Sequence, residues 1–279
     1  MNKIFNLLKT KNILKDITNE SKIKFLNPND GVYIGFDPSA PSLHLGNYIQ
    51  INILKLFQKY GFKVFAVLGG ATGMIGDPSG KNSERKLLTS KQVIKNKKKI
   101  KAQLESFGIE VIDNIIFYKK MSFLSFLREV GKHIGINYMI SKESVKSRLL
   151  SGLSFTEFSY QLIQGWDFKC LYSKFNIKIQ VGGSDQWGNI TTGIELIKKF
   201  FGENHSAIGL TTNLLLTEDG KKFGKTENNP IWLDPKLTLP YYLYQYLYNI
   251  RDDFVLYYYD WLTTNNSWEQ LNKLSIKEA

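Results

Sequence analysis

The stretch Tyr33-Ile-Gly-Phe-Asp-Pro-Ser-Ala-Pro-Ser-Leu-His-Leu-Gly-Asn47 decides the fold, because it carries a strand end, a turn and a helix start in succession. Residues 31–36 are β-branched and aromatic, and Asp37-Pro38 follows them, which is typical of a buried strand that ends in a turn. Apolar residues then recur at helical spacing over 45–60, and Gly61 marks the end of that helix. The stretch therefore predicts a strand followed at once by a helix.

A second apolar run completes the unit. Residues 62–68 predict another buried strand, which leads directly into a glycine-rich loop over 69–80. A strand, a helix and a strand of this kind form a βαβ unit, which predicts a parallel sheet with its ligand site at the carboxyl ends of the strands. Asp37 and Asp77 both lie at such ends. The loop matches neither a P-loop nor the dinucleotide-binding fingerprint.

The rest of the chain alternates between helical and strand patterns, so we expect an α/β fold with a Rossmann-like, doubly wound parallel sheet. Further helices are predicted at 89–107, 123–130, 144–150, 155–175 and 241–249, with another that follows 182–189 and ends at Phe201. Further strands are predicted at 177–181 and 213–216.

Composition limits the classes of function. The chain has 279 residues, 43% of them hydrophobic, and no apolar run near twenty residues, so we expect a globular protein without a membrane span. The net charge of +12 is compatible with a polyanionic partner such as RNA, although a general excess of lysine gives the same charge. The single cysteine, Cys170, excludes an intramolecular disulfide and a cysteine-rich zinc site, and it fits a reducing, cytoplasmic compartment.

Two predicted helices carry polar residues that could bind a ligand. His44 and Asn47 lie one turn apart at a helix start, where backbone N–H groups favour a phosphate; a capping role is the alternative. Tyr160, Gln164 and Asp167 share one face of the helix at 155–175. Apolar residues flank that face, and a buried carboxylate there would require a partner.

Two loops add further candidates. Residues 182–189 combine a glycine pair with acidic and amide side chains, which suits a ribose, although Asp185 could simply cap the next helix. Residues 217–226 hold lysines between glycines and could close over a polyphosphate, and Lys81 and Arg85 could form a second cationic arm. Solvated surface charge is the alternative for both.

The order of these motifs resembles that of the class I aminoacyl-tRNA synthetases. His44-Leu-Gly-Asn47 is similar to their His-Ile-Gly-His signature, and Lys222-Phe-Gly-Lys-Thr226 is similar to their Lys-Met-Ser-Lys-Ser signature. The intervening motifs resemble the bacterial and organellar tyrosyl-tRNA synthetases, and they lie at 33–38, 69–73, 76–81, 154–160 and 182–190. The similarity runs in order from about residue 5 to residue 259.

This resemblance implies the roles of particular residues. Tyr33 and Asp167 would bind the phenol of the substrate, and Asp77, Tyr160 and Gln164 would bind its ammonium group. The complete tyrosine set is Tyr33, Asp37, Asp77, Tyr160, Gln164, Asp167 and Gln180. The nucleotide set is Gly35, His44, Gly46, Asn47, Gly182, Asp185, Gln186 and Lys225. Charge on the reacting phosphates would be stabilised by His44, Asn47, Lys81, Arg85, Lys222 and Lys225.

The reaction implied is ATP-dependent activation of L-tyrosine to tyrosyl-adenylate, followed by transfer of tyrosine to tRNA(Tyr). No protein nucleophile or dedicated metal site is expected, because the substrate carboxylate is already ionised and Mg²⁺ would be carried on the phosphates of ATP. A homodimer through the region around Phe155 is implied as well. Asn47 replaces the second histidine of the signature and cannot carry charge, so we expect activity with some loss of stabilisation.

The resemblance also implies a division of the chain. A catalytic domain is expected over residues 1–250, with a helical insertion at about 85–160, and residues 251–279 would begin a truncated helical, anticodon-contacting domain. Two other functions stay open: a tryptophan-activating relative, and a synthetase-derived RNA-binding protein without catalysis. The pair Tyr33 and Asp167 favours tyrosine, because indole offers a single donor and would not need both.

Overall fold

The computed structural model describes residues 2–80, 87–149, 152–221, 223–224 and 230–264. Within these ranges the strands are β1 (Leu14–Ile17), β2 (Gly31–Phe36), β3 (Lys63–Leu68), β4 (Glu110–Asp113), β5 (Ile177–Gly183) and β6 (Ile208–Thr212). The helices are α1 (Asn2–Thr10), α2 (Leu45–Lys59), α3 (Thr72–Ile75), α4 (Ser90–Ser106), α5 (Phe123–Glu129), α6 (Ile136–Ile140), α7 (Glu143–Leu149), α8 (Phe155–Phe175), α9 (Trp187–Phe201), α10 (Pro240–Tyr248) and α11 (Asp252–Leu262). Short 3₁₀ turns lie at Glu20–Phe25, Asn114–Phe117, Gly131–His133 and Ser184–Gln186.

The strands form one sheet in the order β1-β6-β5-β2-β3-β4. Neighbours from β6 to β4 are parallel, whereas the edge strand β1 runs antiparallel to β6. The chain winds from β2 to β3 and β4 on one side and returns to β5 on the other side of β2. The strand order therefore reverses between β2 and β5, which is where open α/β sheets bind their ligands. The predicted β2–α2–β3 unit and the parallel sheet are confirmed.

Helices cover both faces of the sheet, which confirms the doubly wound prediction. Alternate side chains of β2 point to opposite faces. Val32, Ile34 and Phe36 pack in one apolar core with α1, α2, α4 and α11, and Tyr33 packs in the other with α8 and α9. Among the described residues, no helix is both long and apolar enough to cross a membrane.

The helix predicted at 155–175 coincides with α8, but the strand predicted at 213–216 is wrong. The strand β6 lies five residues earlier, at Ile208–Thr212, and is fully buried. Gly209 interrupts the run of apolar and β-branched residues that would have indicated this strand in the sequence. That glycine is required because α9 crosses β6 closely: a Cβ atom at Gly209 would overlap the side chain of Ile190. Asn213 has left the sheet and donates through Nδ2 to the backbone oxygen of Asn12 at 2.9 Å.

Two findings modify the expected division of the chain. The segment 85–160 is not wholly helical, because β4 lies within it and pairs with β3 at the edge of the sheet. The helix α11, expected to begin a second domain, packs on the first: Trp261 is fully buried in the core around α2, and Asn52 Nδ2 donates to its backbone oxygen at 2.8 Å.

Candidate active site

A cavity of about 370 Å³ lies at the carboxyl ends of β2 and β5, where the strand order reverses. The side chains and glycines predicted from the sequence that line it are Tyr33, Gly35, Asp37, His44, Asn47, Asp77, Tyr160, Gln164, Asp167, Gln180, Gly182, Asp185 and Gln186. Gly46 lies beside it in the first turn of α2. The four predicted cations Lys81, Arg85, Lys222 and Lys225 lie outside the described residues.

Asp167 on α8 is a buried carboxyl group, 3% exposed. Asn114 Nδ2 donates to its Oδ2 at 2.8 Å, and the Tyr118 hydroxyl donates to its Oδ1 at 2.7 Å. Burial raises the pKa of Asp167 to about 8, even though these two hydrogen bonds act to lower it. Each carboxylate oxygen has two lone pairs, so Asp167 can accept a further hydrogen bond from a ligand.

The Tyr33 hydroxyl lines the same cavity from β2. Its ring is 2% exposed and packs on Phe168, with the two ring centroids 5.5 Å apart. Burial, and next the negative charge of Asp167, raise the pKa of Tyr33. The hydroxyl is buried and has no hydrogen-bond partner among the described residues, and neither has Oε1 of Gln180, which pairs with Tyr33 in register across β2 and β5. Buried polar atoms of this kind usually have a partner, so these two indicate a polar ligand.

Asp37, at the end of β2, is held by two donors. Thr72 Oγ1 donates to its Oδ1 at 2.6 Å, and the Tyr160 hydroxyl donates to its Oδ2 at 2.9 Å. The glycine loop makes this possible, because a Cβ atom at Gly69 would overlap Oδ1 of Asp37. Because the Tyr160 hydroxyl donates its hydrogen bond to Asp37, the lone pairs of its oxygen remain available to accept from an ammonium group.

Asp77 joins the two ends of the cavity. Gln186 Nε2 donates to its Oδ2 at 2.6 Å, and Asn189 Nδ2 and the Ser79 backbone N–H both contact its Oδ1, at 3.3 and 2.9 Å. The residue expected at the ammonium group and the residue expected at the nucleotide are therefore bonded to each other. Asp185 lies in the 3₁₀ turn before α9 and does not cap that helix, whose N-cap position is Gln186.

The nucleotide candidates lie at the N-terminus of α2. The His44 backbone N–H donates to Oδ1 of Asn47 at 3.0 Å, so Asn47 fixes the start of the helix. Phe223 and Gly224, from the second signature, pack against this turn: a Cβ atom at Gly224 would lie 2.9 Å from the backbone nitrogen of Gly46. The two signatures, far apart in sequence, meet at one helix start.

Several residues that hold the predicted side chains in place were not themselves predicted from the sequence. Asn114 and Tyr118 hold Asp167, and Thr72 holds Asp37. Asn114 directly follows β4, so polar residues at the ends of sheet strands were the signal, but β4 itself was taken as part of a helical insertion. Tyr118 gave no comparable signal.

Comparison with known proteins agrees with this geometry. The sequence model of one protein family, the class I tRNA synthetases for tryptophan and tyrosine, matches residues 27–279 of this chain. The chain belongs to this class I tRNA synthetase family. The sheet with its reversed strand order and the two signatures are thus features of a member of this family.

Within the synthetases, similar relatives carry one name. The chain is 56% identical over 266 residues to a tyrosine–tRNA ligase of Mycoplasmopsis agalactiae, covering 94% of this chain and 65% of the relative. It is 60% identical over 247 residues to a tyrosine–tRNA ligase of Mesomycoplasma hyopneumoniae, covering 88% and 60%. The chain thus spans 60–65% of the length of these curated relatives.

A solved synthetase structure has a similar fold. The C-terminally truncated mitochondrial tyrosyl-tRNA synthetase of Aspergillus nidulans superposes with a TM-score of 0.82 at 29% identity, covering 97% of this chain and 84% of that one. The tyrosyl-tRNA synthetase of Archaeoglobus fulgidus, solved with L-tyrosine, has a TM-score of 0.66 at 17% identity, and shares the fold.

Proposed function

We propose that this chain activates L-tyrosine with ATP, forming tyrosyl-adenylate and pyrophosphate, and that tyrosine is then transferred to tRNA(Tyr). The observation that carries the proposal is the buried Tyr33 hydroxyl, which has no partner among the described residues and faces the same cavity as the Asp167 carboxyl group. A phenol can donate to Asp167 and accept from Tyr33 at once. The relatives named tyrosine–tRNA ligase support this choice.

The same pair explains why phenylalanine would be rejected. A ligand without the hydroxyl leaves both buried groups unpaired, and each unpaired group costs about 1–3 kcal/mol. Tyrosyl-tRNA synthetases are themselves the standard example of such discrimination, with a preference of about 10⁵, a magnitude that belongs to those enzymes. Tryptophan would satisfy only one of the two groups, because its indole has one donor and no acceptor.

The ammonium and carboxylate of tyrosine would lie between the two ends of the cavity. Asp77, the oxygen of Tyr160 and Gln164, which line the cavity, would take the ammonium group, and Asp37 and Gln180 line the same cavity. The tyrosine carboxylate then attacks the α-phosphate of ATP, forming the acyl–phosphate bond while the bond to pyrophosphate breaks. The tyrosine carboxylate is already ionised, so no protein nucleophile is needed. The protein would position the two substrates and stabilise the charge on the phosphates.

ATP with its Mg²⁺ would bind as a substrate at the N-terminus of α2. Backbone N–H groups there favour phosphate, and His44 and Asn47 face the cavity from it. Gly35, Gly46 and Gly182 would allow the nucleotide to approach the backbone, and Asp185 with Gln186 would take the ribose. Lys81, Arg85, Lys222 and Lys225 are assigned to the phosphates on the sequence resemblance alone.

A second copy of the chain is the proposed occupant of an apolar groove of about 590 Å³, bounded by α5, α6 and the start of α8. Among the side chains that line it, Phe123 is 64% and Phe155 66% exposed. Exposed apolar patches of this kind mark interaction sites. We expect Phe123→Glu to shift the molar mass measured by light scattering from dimer to monomer; an unchanged mass would contradict this interface.

Cys170, buried and unpaired, fits a reducing compartment, and we place the enzyme in the cytoplasm on this ground. The net charge of +12 supports tRNA as the polyanionic partner.

Amino-acid-dependent exchange of pyrophosphate into ATP tests the proposal, with L-tyrosine, L-tryptophan and L-phenylalanine compared. We expect exchange with tyrosine to be far more efficient than exchange with either of the other two amino acids. Exchange that depends on tryptophan would overturn the specificity, and no exchange with any of the three would favour an RNA-binding protein without catalysis.

A further inference from the structure

Tyr118 lies next to the cavity and reaches one of its key side chains. It directly follows the 3₁₀ turn Asn114–Phe117, and its hydroxyl lies 2.7 Å from Oδ1 of Asp167 and 2.8 Å from the backbone oxygen of Ile163. Tyr118 does not line the cavity itself. Any effect on the reaction would therefore be exerted through Asp167.

The two oxygens of Asp167 are held by different parts of the fold. Asn114 contacts Oδ2 and is itself fixed by the Ala71 backbone N–H, which donates to its Oδ1 at 2.7 Å. Tyr118 contacts Oδ1 and is fixed by the backbone of α8. Two donors on opposite oxygens fix the rotation of the carboxyl plane. With Tyr118 removed, only Oδ2 would keep a donor among the described residues.

The ring of Tyr118 is held on its other side. It lines the apolar groove, among side chains such as Met121 and Phe126, and it packs against the core between α8 and the sheet. Because the ring is held by packing, the position of its hydroxyl is fixed before any ligand binds. Such preorganisation is what a specificity group requires of its supporting residue.

We propose that Tyr118 is a specificity-determining positioning residue, which orients the Asp167 carboxyl group toward the phenol of the substrate. The proposal rests on the proposed function, because it assumes that Asp167 accepts from a tyrosine hydroxyl. Tyr118 does not touch the substrate. Its contribution is to keep Oδ1 of Asp167 in the one orientation that suits a phenol.

The test compares two Tyr→Phe variants in pyrophosphate exchange. Tyr118→Phe removes the hydroxyl and keeps the ring in the groove. Tyr172→Phe is the matched control: Tyr172 is also on the α8 side of the sheet, and its hydroxyl accepts from the Ser206 backbone N–H at 3.2 Å, away from the cavity.

We expect Tyr118→Phe to raise KM for L-tyrosine about tenfold, with kcat changed less than about twofold, which is the upper end of the cost of losing one hydrogen bond. Exchange with L-phenylalanine should be unchanged, so the preference for tyrosine should fall about tenfold. Tyr172→Phe should leave both values as in the unmodified chain. A purely structural role would lower the exchange with both amino acids together.

The outcomes separate this proposal from the proposed function. No tyrosine-dependent exchange by the unmodified chain would overturn both. Tyrosine-dependent exchange with an unchanged KM and an unchanged preference in Tyr118→Phe would overturn the role of Tyr118 alone. If thermal unfolding shows that Tyr118→Phe has lost the fold, Tyr118→Met, which also fills the groove without a hydroxyl, gives the same comparison.

Discussion

The end of the cavity proposed for the amino acid (the amino-acid end) and the end proposed for the nucleotide (the nucleotide end) are built in different ways. At the amino-acid end, Tyr33, Tyr160 and Asp167 belong to regular elements and are at most 4% exposed. At the nucleotide end, His44 and Asp185 are partly exposed residues at a helix start and in a turn. The first end is a set of buried side chains held by other side chains, whereas the second depends on backbone N–H groups and loops.

The two ligands proposed above account for this difference. A phenol is neutral and is told apart from a benzene ring by one hydroxyl group, so discrimination requires buried groups that lose hydrogen bonds when the hydroxyl is absent. A polyphosphate is strongly charged and is bound by many N–H groups and cations together. We therefore expect substitutions at the first end to change the choice of amino acid and substitutions at the second to change the use of ATP.

The largest effect is expected for Asp167→Ala. The substitution removes the carboxyl group that accepts from Asn114 and Tyr118 and that is proposed to accept from the substrate phenol, so kcat/KM for tyrosine should fall on the order of 10²–10³-fold. Selectivity against phenylalanine should largely disappear, while KM for ATP should stay within about twofold. Pyrophosphate exchange with each amino acid measures all three. Unchanged selectivity for tyrosine would remove Asp167 from the phenol site.

The next effect concerns stability and pH. Because burial raises the pKa of Asp167 from 3.8 to about 8, the folded chain keeps a proton that the unfolded chain loses between about pH 4 and pH 8. Stability from this group is complete at low pH and is lost as pH rises through about 8, with a slope on the order of 1 kcal/mol per pH unit. Asp167→Asn should remove that slope.

Chemical unfolding of both chains at pH 5, 6, 7 and 9 measures this difference. The unmodified chain loses stability as pH rises, whereas Asp167→Asn does not lose it through this group. The free energy of unfolding of the variant minus that of the unmodified chain should therefore increase from pH 5 to pH 9. Parallel pH profiles of the two chains would show that Asp167 is ionised throughout, and the amino-acid end would then be less desolvated than its burial indicates.

At the nucleotide end, Asn47 allows capping and phosphate binding to be separated. Asn47→Asp keeps an oxygen that can accept the His44 N–H, but it cannot donate to a phosphate and adds negative charge. We expect KM for ATP to rise about tenfold with little change in the melting temperature. Asn47→Ala also removes the capping bond and should lower stability by about 1 kcal/mol. Equal melting temperatures for the two variants would contradict the capping role.

Much of the fold could be predicted because it depends on local patterns. The strand at 31–36, the turn at Asp37-Pro38 and the helix that follows are each determined within a few residues, and together they fix where the cavity lies. Local patterns failed where a distant element sets the sequence. Gly209 interrupts the apolar sequence pattern of β6, and it is needed there because Ile190 of α9 packs against it. The strand was therefore predicted five residues late.

The supporting residues of the site could not be predicted for the same reason. Asn114 and Tyr118 contact Asp167 across 53 and 49 residues of sequence, and neither forms part of a local pattern. The residues predicted by resemblance are those that would touch the ligand, since these are the ones a family motif records. The residues that hold them follow from packing that only the folded chain shows.

The smallest effect is expected for Tyr160→Phe. The variant loses the hydrogen bond to Oδ2 of Asp37, but Thr72 still holds Oδ1 at 2.6 Å, so Asp37 should stay in place. The lost group is one acceptor for the ammonium of tyrosine, and the expected cost is a rise in KM for tyrosine of about fivefold. The ammonium group is common to all amino acids, so KM for phenylalanine should rise by the same factor and selectivity should not change.

KM for ATP should not change in Tyr160→Phe either, because Tyr160 contacts only the amino-acid end. An equal rise in KM for ATP would mean that Asp77, which bonds to Gln186, transmits the change, and that the two ends do not act separately.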